Sequence, residues 1–145
     1  MRALLQRVSE ASVEVGGERI AEIGPGLLAL VAAGTGDSDQ NARRLAEKIA
    51  RVRIFGDDQG RMNRSLIDVA GSVLCVSQFT LYADLARGNR PGFTAAAPPE
   101  QGRTLVDAVA DQLRLNGLDV QTGRFGAHMQ VALVNDGPVT IWLDM

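Results

Sequence analysis

The stretch QVALVNDGPVTIWL, residues 130–143, holds two apolar patterns separated by a glycine-proline pair. Apolar residues recur in VALV and again in VTIWL, which predicts two half-buried strands. Proline has no N–H to give to a β-ladder and glycine adds no packing, so Gly137-Pro138 belongs at an edge, a bulge or a turn. The stretch leaves open whether this pair is only the corner of a hairpin or part of a functional site.

The segments before this stretch also predict strands. ALLQRV and ASVEVGGERIAEI alternate apolar and polar residues, and Gly16-Gly17 suits the positive φ angles of a tight hairpin turn. The continuous apolar run GPGLLALVAAG, residues 24–34, predicts a strand buried on both faces. SVLCVSQFTLYA, residues 72–83, predicts a second buried strand that runs into polar residues.

Two further segments have helical periodicity. The first lies within residues 37–55, where Ser38 or Asp39 can cap its start. The second lies within residues 98–117, between Pro98-Pro99 at its start and Asn116-Gly117 at its end. We therefore predict an α/β fold, a single compact domain of mixed, barrel-like β-sheets with two main helices packed against them. With 145 residues, 46% of them hydrophobic, and no repeat or linker, that domain is expected to span residues 1–145.

Composition excludes several classes of protein. No apolar run approaches the roughly 18 residues of a membrane span, and the start lacks a signal-peptide core, which predicts a cytoplasmic protein without a membrane partner. A net charge of -2 argues against a protein coated with nucleic acid, and DNA is not expected as a partner. The single cysteine, Cys75, lies in an apolar run and is expected to be a small buried hydrophobe.

The usual catalytic motifs are mostly missing. One histidine, His128, and one cysteine cannot build a zinc site of the His/Cys kind, so no metal and no cofactor are predicted. No G-x-S-x-G motif, P-loop or dinucleotide fingerprint occurs. The polar SQFT, Ser77 to Thr80, remains, and the pattern allows two interpretations. Either a central strand ends there and its polar side chains hydrogen-bond to nearby backbone groups, or these residues line a pocket with Phe79 as an apolar wall.

Five motifs carry a resemblance to a known family. They are QRV at 6–8, VSQFTL at 76–81, RGNRPGF at 87–93, QTGRFGAHMQV at 121–131 and LVNDGPVT at 133–140. Together, in this order, they resemble the D-aminoacyl-tRNA deacylase family in the form found in bacteria and most eukaryotes. Position 92 is glycine, where this family more often has serine. The resemblance implies hydrolysis of the ester that joins a D-amino acid, or glycine mischarged on tRNA-Ala, to the 3′ end of tRNA.

The resemblance also implies the residues and the assembly of the site. It implies a homodimer in which a cis Gly137-Pro138 peptide enters the partner's pocket and rejects L-aminoacyl-tRNA. Water would attack, backbone N–H groups would hold the oxyanion, and the ribose 2′-OH would assist. The implied catalytic residues are Gln78, Phe79 and Thr80, and the implied substrate-binding residues are Arg7, Ser77, Phe125, Met129, Gly137 and Pro138.

Other interpretations of the same residues remain open at this stage. Without the family, Arg7 could simply face solvent, and Phe125 and Met129 could belong to the core. Basic residues cluster within residues 43–64, and some are expected to meet phosphates of the acceptor stem. The rival functions are a non-catalytic RNA-binding module and a small-molecule esterase or peptidase that uses Ser77 and His128.

Overall fold

A computed structural model describes all of residues 1–145. The strands are β1 (Arg2–Val15), β2 (Glu18–Ile23), β3 (Gly26–Ala32), β4 (Phe55–Gly56), β5 (Met62–Arg64), β6 (Ser72–Ser77), β7 (Asp119–Thr122) and β8 (Gln130–Asp144). The helices are α1 (Asp39–Arg51) and α2 (Pro99–Leu115), and a 3₁₀ turn spans Phe79–Tyr82.

The long strand β1 organises the main sheet. Its first half pairs antiparallel with β3 and its second half with β2, while β8 runs antiparallel along its other edge. β3, β6 and β7 are parallel neighbours, so the sheet is mixed. Because the two halves of β1 pair with different strands, β3 and β2, the sheet curls into a nearly closed, barrel-like form. The predicted α/β fold with two helices is confirmed.

The sheet has apolar clusters on both faces. The larger cluster of 23 buried residues lies between the sheet and the two helices. A smaller cluster of eight buried residues fills the curl formed by β2 and the second half of β1. β3 contributes Leu27 to the first cluster and Leu28 to the second, as expected of a strand buried on both faces. Cys75 is 2% exposed, and burial raises its pKa to about 12, so its thiol is an inert part of the core.

The ends of the helices follow their sequence signals. α1 begins after Ser38, whose backbone N–H donates to the Asn41 side chain at 3.0 Å. α2 begins after Pro98 and ends at Leu115, and two residues later Gly117 adopts a φ of +84°. Neither helix combines the length and the apolar character that crossing a membrane would need.

The stretch 130–143 differs from two strands joined at a corner. It lies within one strand, β8, and both halves pair with β1: residues 130–135 face the second half of β1 and residues 140–144 its start. Between them the register shifts at Gln6/Val8, and residues 136–139 bulge out opposite Arg7. The Gly137-Pro138 peptide is cis. The hairpin interpretation is therefore wrong, because a hairpin would pair the two halves with each other.

Candidate active site

A cavity of about 590 Å³ opens where β3 and β6 end. Val31 to Ala33 and Val76 to Gln78 supply one side of it, and the first turns of α2 and residues 125–129 supply the other. Of its 19 lining residues 13 are hydrophobic, so it suits an organic group held by few polar contacts. The carboxyl ends of parallel strands are a common place for such sites.

Aromatic rings form the rim of this cavity. Phe79 packs edge-on against Phe93 with ring centroids 4.9 Å apart, although Phe79 is still 56% exposed. Phe125 lines the opposite side. The Arg103 guanidinium lies over the Phe125 ring, 5.1 Å from the ring centroid. The interpretation of Phe125 as a core residue is therefore wrong, since its ring faces an open cavity.

The polar SQFT segment sits at the mouth of the cavity. The Gln78 N–H donates to the Val31 carbonyl at 2.8 Å, which fixes the segment to the end of β3. The first bond of the following 3₁₀ turn runs from the Leu81 N–H to the Gln78 carbonyl at 3.1 Å. The N–H groups of Phe79 and Thr80 precede that bond and have no acceptor within the turn. The Gln78 side-chain amide donates to Thr80 Oγ1.

Asp37 supports this region and was not identified from the sequence. Its carboxylate accepts from the Gly34 N–H at 2.6 Å and from the Tyr82 hydroxyl at 3.3 Å. Its backbone carbonyl accepts from the Gln101 side chain at 3.1 Å. Burial, reinforced by the Asp37 charge, raises the pKa of Tyr82 to about 12, which keeps this hydroxyl a donor. Asp37 thus joins the end of β3, the 3₁₀ turn and α2 around the cavity.

Arg7 holds the bulge that contains Gly137-Pro138. Its side chain is only 16% exposed, so the solvent-facing interpretation is wrong. Nε donates to the Asp136 carbonyl at 3.2 Å and lies 3.2 Å from the Asp136 carboxylate. Another guanidinium N–H donates to the Ile54 carbonyl. One guanidinium therefore joins the bulge of β8 to the segment that follows α1.

Asn135 closes the base of the bulge, a role that its place in the NDGPVT motif does not by itself reveal. Its side-chain N–H groups donate to the Arg7 carbonyl at 2.9 Å and to the Val139 carbonyl at 3.0 Å. Its Oδ1 accepts from the Thr140 hydroxyl at 3.3 Å. These bonds replace the ladder that the register shift interrupts, and they hold residues 136–139 in one shape.

Replacing Asn135 with alanine should lower the free energy of unfolding by about 1–3 kcal/mol, because two side-chain to backbone bonds worth about 0.5–1.5 kcal/mol each disappear. Urea unfolding followed by circular dichroism measures this loss. The matched control is Asn89→Ala at an exposed position, which should stay within about 0.5 kcal/mol of the parent. Equal stability of the two variants would contradict the role given to Asn135.

The cavity brings together only part of the residues implied by the family resemblance. Ser77, Gln78, Phe79, Phe125 and Met129 line it, and Thr80 follows directly after them. Gly137 and Pro138 on the bulge, with Arg7 opposite them on β1, form a second group that does not line the cavity. His128 also lines the cavity, but no hydrogen bond joins it to the Ser77 hydroxyl, so the esterase alternative lacks its nucleophile-base contact. No cluster of three or more His, Cys, Asp or Glu side chains suggests a metal site.

Comparison with solved structures shows the same architecture elsewhere. The chain is 41% identical to the c-Myc DNA Unwinding Element Binding Protein, with a TM-score of 0.94 over 100% of this chain and 99% of the other. A structure described as a probable eukaryotic D-amino acid tRNA deacylase has a TM-score of 0.86 at 18% identity, over 99% and 98% of the two chains. The second likeness shows the fold alone.

Comparison of sequences identifies the family. The chain is 62% identical over 144 residues to the D-aminoacyl-tRNA deacylase of Dinoroseobacter shibae, covering 99% of each. It is 62% identical to that of Thermomicrobium roseum, covering 99% of this chain and 94% of the relative. Fold, cavity and relatives define the class as a hydrolase of aminoacyl-tRNA esters. The chain belongs to the D-Tyr-tRNA(Tyr) deacylase family, whose model matches residues 4–144, so the resemblance seen in the motifs is confirmed.

Proposed function

We propose that this protein removes D-amino acids and glycine from mischarged tRNA as a homodimer in which Gly137-Pro138 of each subunit closes the cavity of the other. The cavity would take the 3′-terminal adenosine and its aminoacyl ester. The observation that carries the proposal is the separation, within one subunit, of the cavity from the bulge that bears the motif.

The register of the sheet gives the size of that separation. Arg7, which holds the bulge, pairs with Leu27 at the start of β3, and Arg2 pairs with Ala32 at its end, where the cavity opens. These two positions are five residue steps apart along the strand, which at about 3.3 Å per step is roughly 17 Å. Gly137-Pro138 therefore cannot wall its own cavity without rearranging the sheet, whereas a second subunit can bring it there.

The free edge of β8 supports a second subunit. β8 pairs only with β1, so the other edge of this 15-residue strand is unpaired, and none of its residues is buried. Val134 is 50% exposed and Trp142 is 47% exposed on its outer face. A long edge strand with exposed apolar side chains is an aggregation hazard unless something covers it. In a dimer with a two-fold axis, each copy of the chain would cover the exposed β8 edge of the other.

Chiral selection needs only a rigid wall. An L- and a D-residue held by the same amino group and ester differ by exchanging hydrogen and side chain on Cα. A wall against the position that holds hydrogen in the D-substrate excludes the L-side chain by collision, while glycine passes because it has hydrogen on both sides. The bonds from Arg7 and Asn135 give the bulge the rigidity that such a wall requires.

The mouth of the cavity offers groups for hydrolysis by water. The N–H groups of Phe79 and Thr80 are donors without acceptors in their turn, which suits them to hold the oxyanion of the tetrahedral intermediate. The partner of Thr80 Oγ1 is the Gln78 amide, which is not a base, so the Thr80 hydroxyl has no activating group. Thr80 would then fix Gln78, and the substrate's own 2′-OH would assist the attack.

Thr80→Ala should therefore keep deacylation within about tenfold of the parent, because it removes one hydrogen bond to Gln78 and no nucleophile. A D-tyrosyl-tRNA ending in 2′-deoxyadenosine, aminoacylated on its 3′-OH, should react far more slowly with parent and variant alike. Single-turnover release of tyrosine measures both. A covalent acyl-enzyme trapped on Thr80 or Ser77 would contradict this mechanism.

The function itself is tested by comparing D-tyrosyl-, glycyl- and L-tyrosyl-tRNA at equal enzyme concentration. The first two should be hydrolysed and the third should persist. Light scattering in the same buffer should report about twice the 15.4 kDa of one chain. Equal hydrolysis of D- and L-tyrosyl-tRNA would refute the chiral wall, and a fully active monomer would refute its origin in a second subunit. A cytoplasmic location agrees with this substrate and stays a prediction.

A further inference from the structure

One exposed face of α1 is basic and unpaired. Arg44, Lys48 and Arg51 recur at spacings of four and three residues and line a groove of about 450 Å³. None of the three lies within ion-pair distance of a carboxylate, although Glu47 lines the same groove. The chain as a whole carries a charge of -2, so this face is a local concentration of positive charge. We call it the α1 basic face.

The C-terminal end of the α1 basic face lies beside the bulge of β8. The groove includes Val52, and two residues later the Ile54 carbonyl accepts a hydrogen bond from Arg7. The same guanidinium contacts Asp136, next to Gly137. Arg44 lies about 10 Å from Arg51 along the axis of α1, at a rise of about 1.5 Å per residue. Its cations thus form a line that starts near Gly137-Pro138.

We infer that the α1 basic face binds the phosphate backbone of the tRNA acceptor stem, and that it serves the cavity of the partner subunit. The inference rests on the proposed function, in which Gly137-Pro138 of one subunit closes the other subunit's cavity. A 3′ end held in that cavity places the stem beside the subunit that supplies the wall. Each tRNA therefore lies across two subunits, with its 3′ end on one and its stem phosphates on the other.

The first test neutralises the face with R44Q/K48Q/R51Q. The KM for D-tyrosyl-tRNA should rise at least about tenfold with little change in kcat, because phosphate contacts hold the stem and do not touch the ester. The magnitude of the slope of log(kcat/KM) against log salt concentration should fall by about 2–3. Each phosphate that the variant no longer neutralises contributes roughly 0.7–0.9 to that slope. The control R19Q/R64Q/R114Q removes the same charge from arginines that are paired with carboxylates. A triple variant that matches this control in KM and slope would overturn the inference.

The second test decides which subunit the face serves. Gly102 lines the cavity beside Phe125, so the indole of Gly102→Trp should obstruct the proposed place of the ester while leaving α1 unchanged. Mixed dimers of this subunit with an R44Q/K48Q/R51Q subunit are isolated through two different affinity tags. If the face acts across the dimer, the open cavity is served by the unmodified α1 of the Gly102→Trp subunit, and kcat/KM per dimer should be about half the wild-type value. If the face acts within one subunit, the mixed dimer should have about half the kcat/KM of the R44Q/K48Q/R51Q homodimer. That result would overturn the cross-subunit path.

Failure of this inference and failure of the proposed function give different results. A wild-type homodimer that hydrolyses D-tyrosyl-tRNA, with an unchanged KM in the triple variant, would leave the function standing and remove the α1 basic face from it. A wild-type protein that binds tRNA but releases no amino acid would refute the function and with it the inference. Thermal unfolding of each homodimer verifies that an inactive variant is folded.

Discussion

Gly137→Ala should reduce hydrolysis of D-tyrosyl-tRNA by roughly 100-fold, or admit L-tyrosyl-tRNA, because the bulge of β8 has no room for a methyl group. A Cβ at this position would lie 2.8 Å from Val139 Cγ2, 3.0 Å from the Val139 nitrogen and 3.1 Å from an Arg7 guanidinium nitrogen. The φ of +131° adds strain, since residues with side chains rarely adopt it and it costs them about 1–3 kcal/mol. The segment must shift, and a shift of about 1 Å in a positioned group can cost roughly 100-fold in rate.

The control for this variant is Gly56→Ala, an exposed position without positive φ where a Cβ meets nothing within 4 Å. It should match the wild type in both rate and chiral selection. Rates for D- and L-tyrosyl-tRNA are measured for each variant, together with its dimer mass. A Gly137→Ala dimer with wild-type D-hydrolysis and intact rejection of L-tyrosyl-tRNA would show that the bulge does not face the substrate.

Much of the fold was predictable because its signals are local. Alternation in β1 and β2, the continuous apolar run of β3 and the helical period of α1 each lie within a short window. Their turns carry their own signals, as at Gly16-Gly17, with φ of +61° and +82°. The single strand β8 was not predictable in this way. Only its pairing with a strand more than 100 residues away shows that the chain continues past Gly137-Pro138 in the same direction.

The residues that sequence reasoning missed act over long distances along the chain. Asn135 bonds the Arg7 carbonyl across 128 residues, and Asp37 accepts from Tyr82 across 45. A polar residue beside a turn is more often read as a local cap, and no periodic pattern marks a distant partner. The family motifs contain the residues proposed for the site, but they could not show that Gly137-Pro138 and the cavity lie at opposite ends of β3. That conclusion needs the register between β1 and β3.

The cavity can be tested at one residue with two substitutions. Gly102 lies in the first turns of α2, and a Cβ there would make ordinary contacts with Phe125 at 3.7 and 3.9 Å and with the Ala97 carbonyl at 4.0 Å. Gly102→Ala should therefore keep activity and raise the free energy of unfolding by about 0.5–1 kcal/mol, because glycine is a poor residue inside a helix. This variant shows that the backbone of α2 accepts a side chain at this point.

Gly102→Trp should lower kcat/KM for D-tyrosyl-tRNA by more than about 100-fold, equivalent to roughly 2.7 kcal/mol of lost transition-state stabilisation. Its ring enters the space between Phe125 and the SQFT segment, where the proposed ester would lie, and α2 itself need not move. Thermal unfolding and light scattering should match those of Gly102→Ala, so the loss cannot come from misfolding. If a folded, dimeric Gly102→Trp protein deacylated D-tyrosyl-tRNA at the wild-type rate, the reaction would have to occur elsewhere, since the indole beside Phe125 occupies the place proposed for the ester.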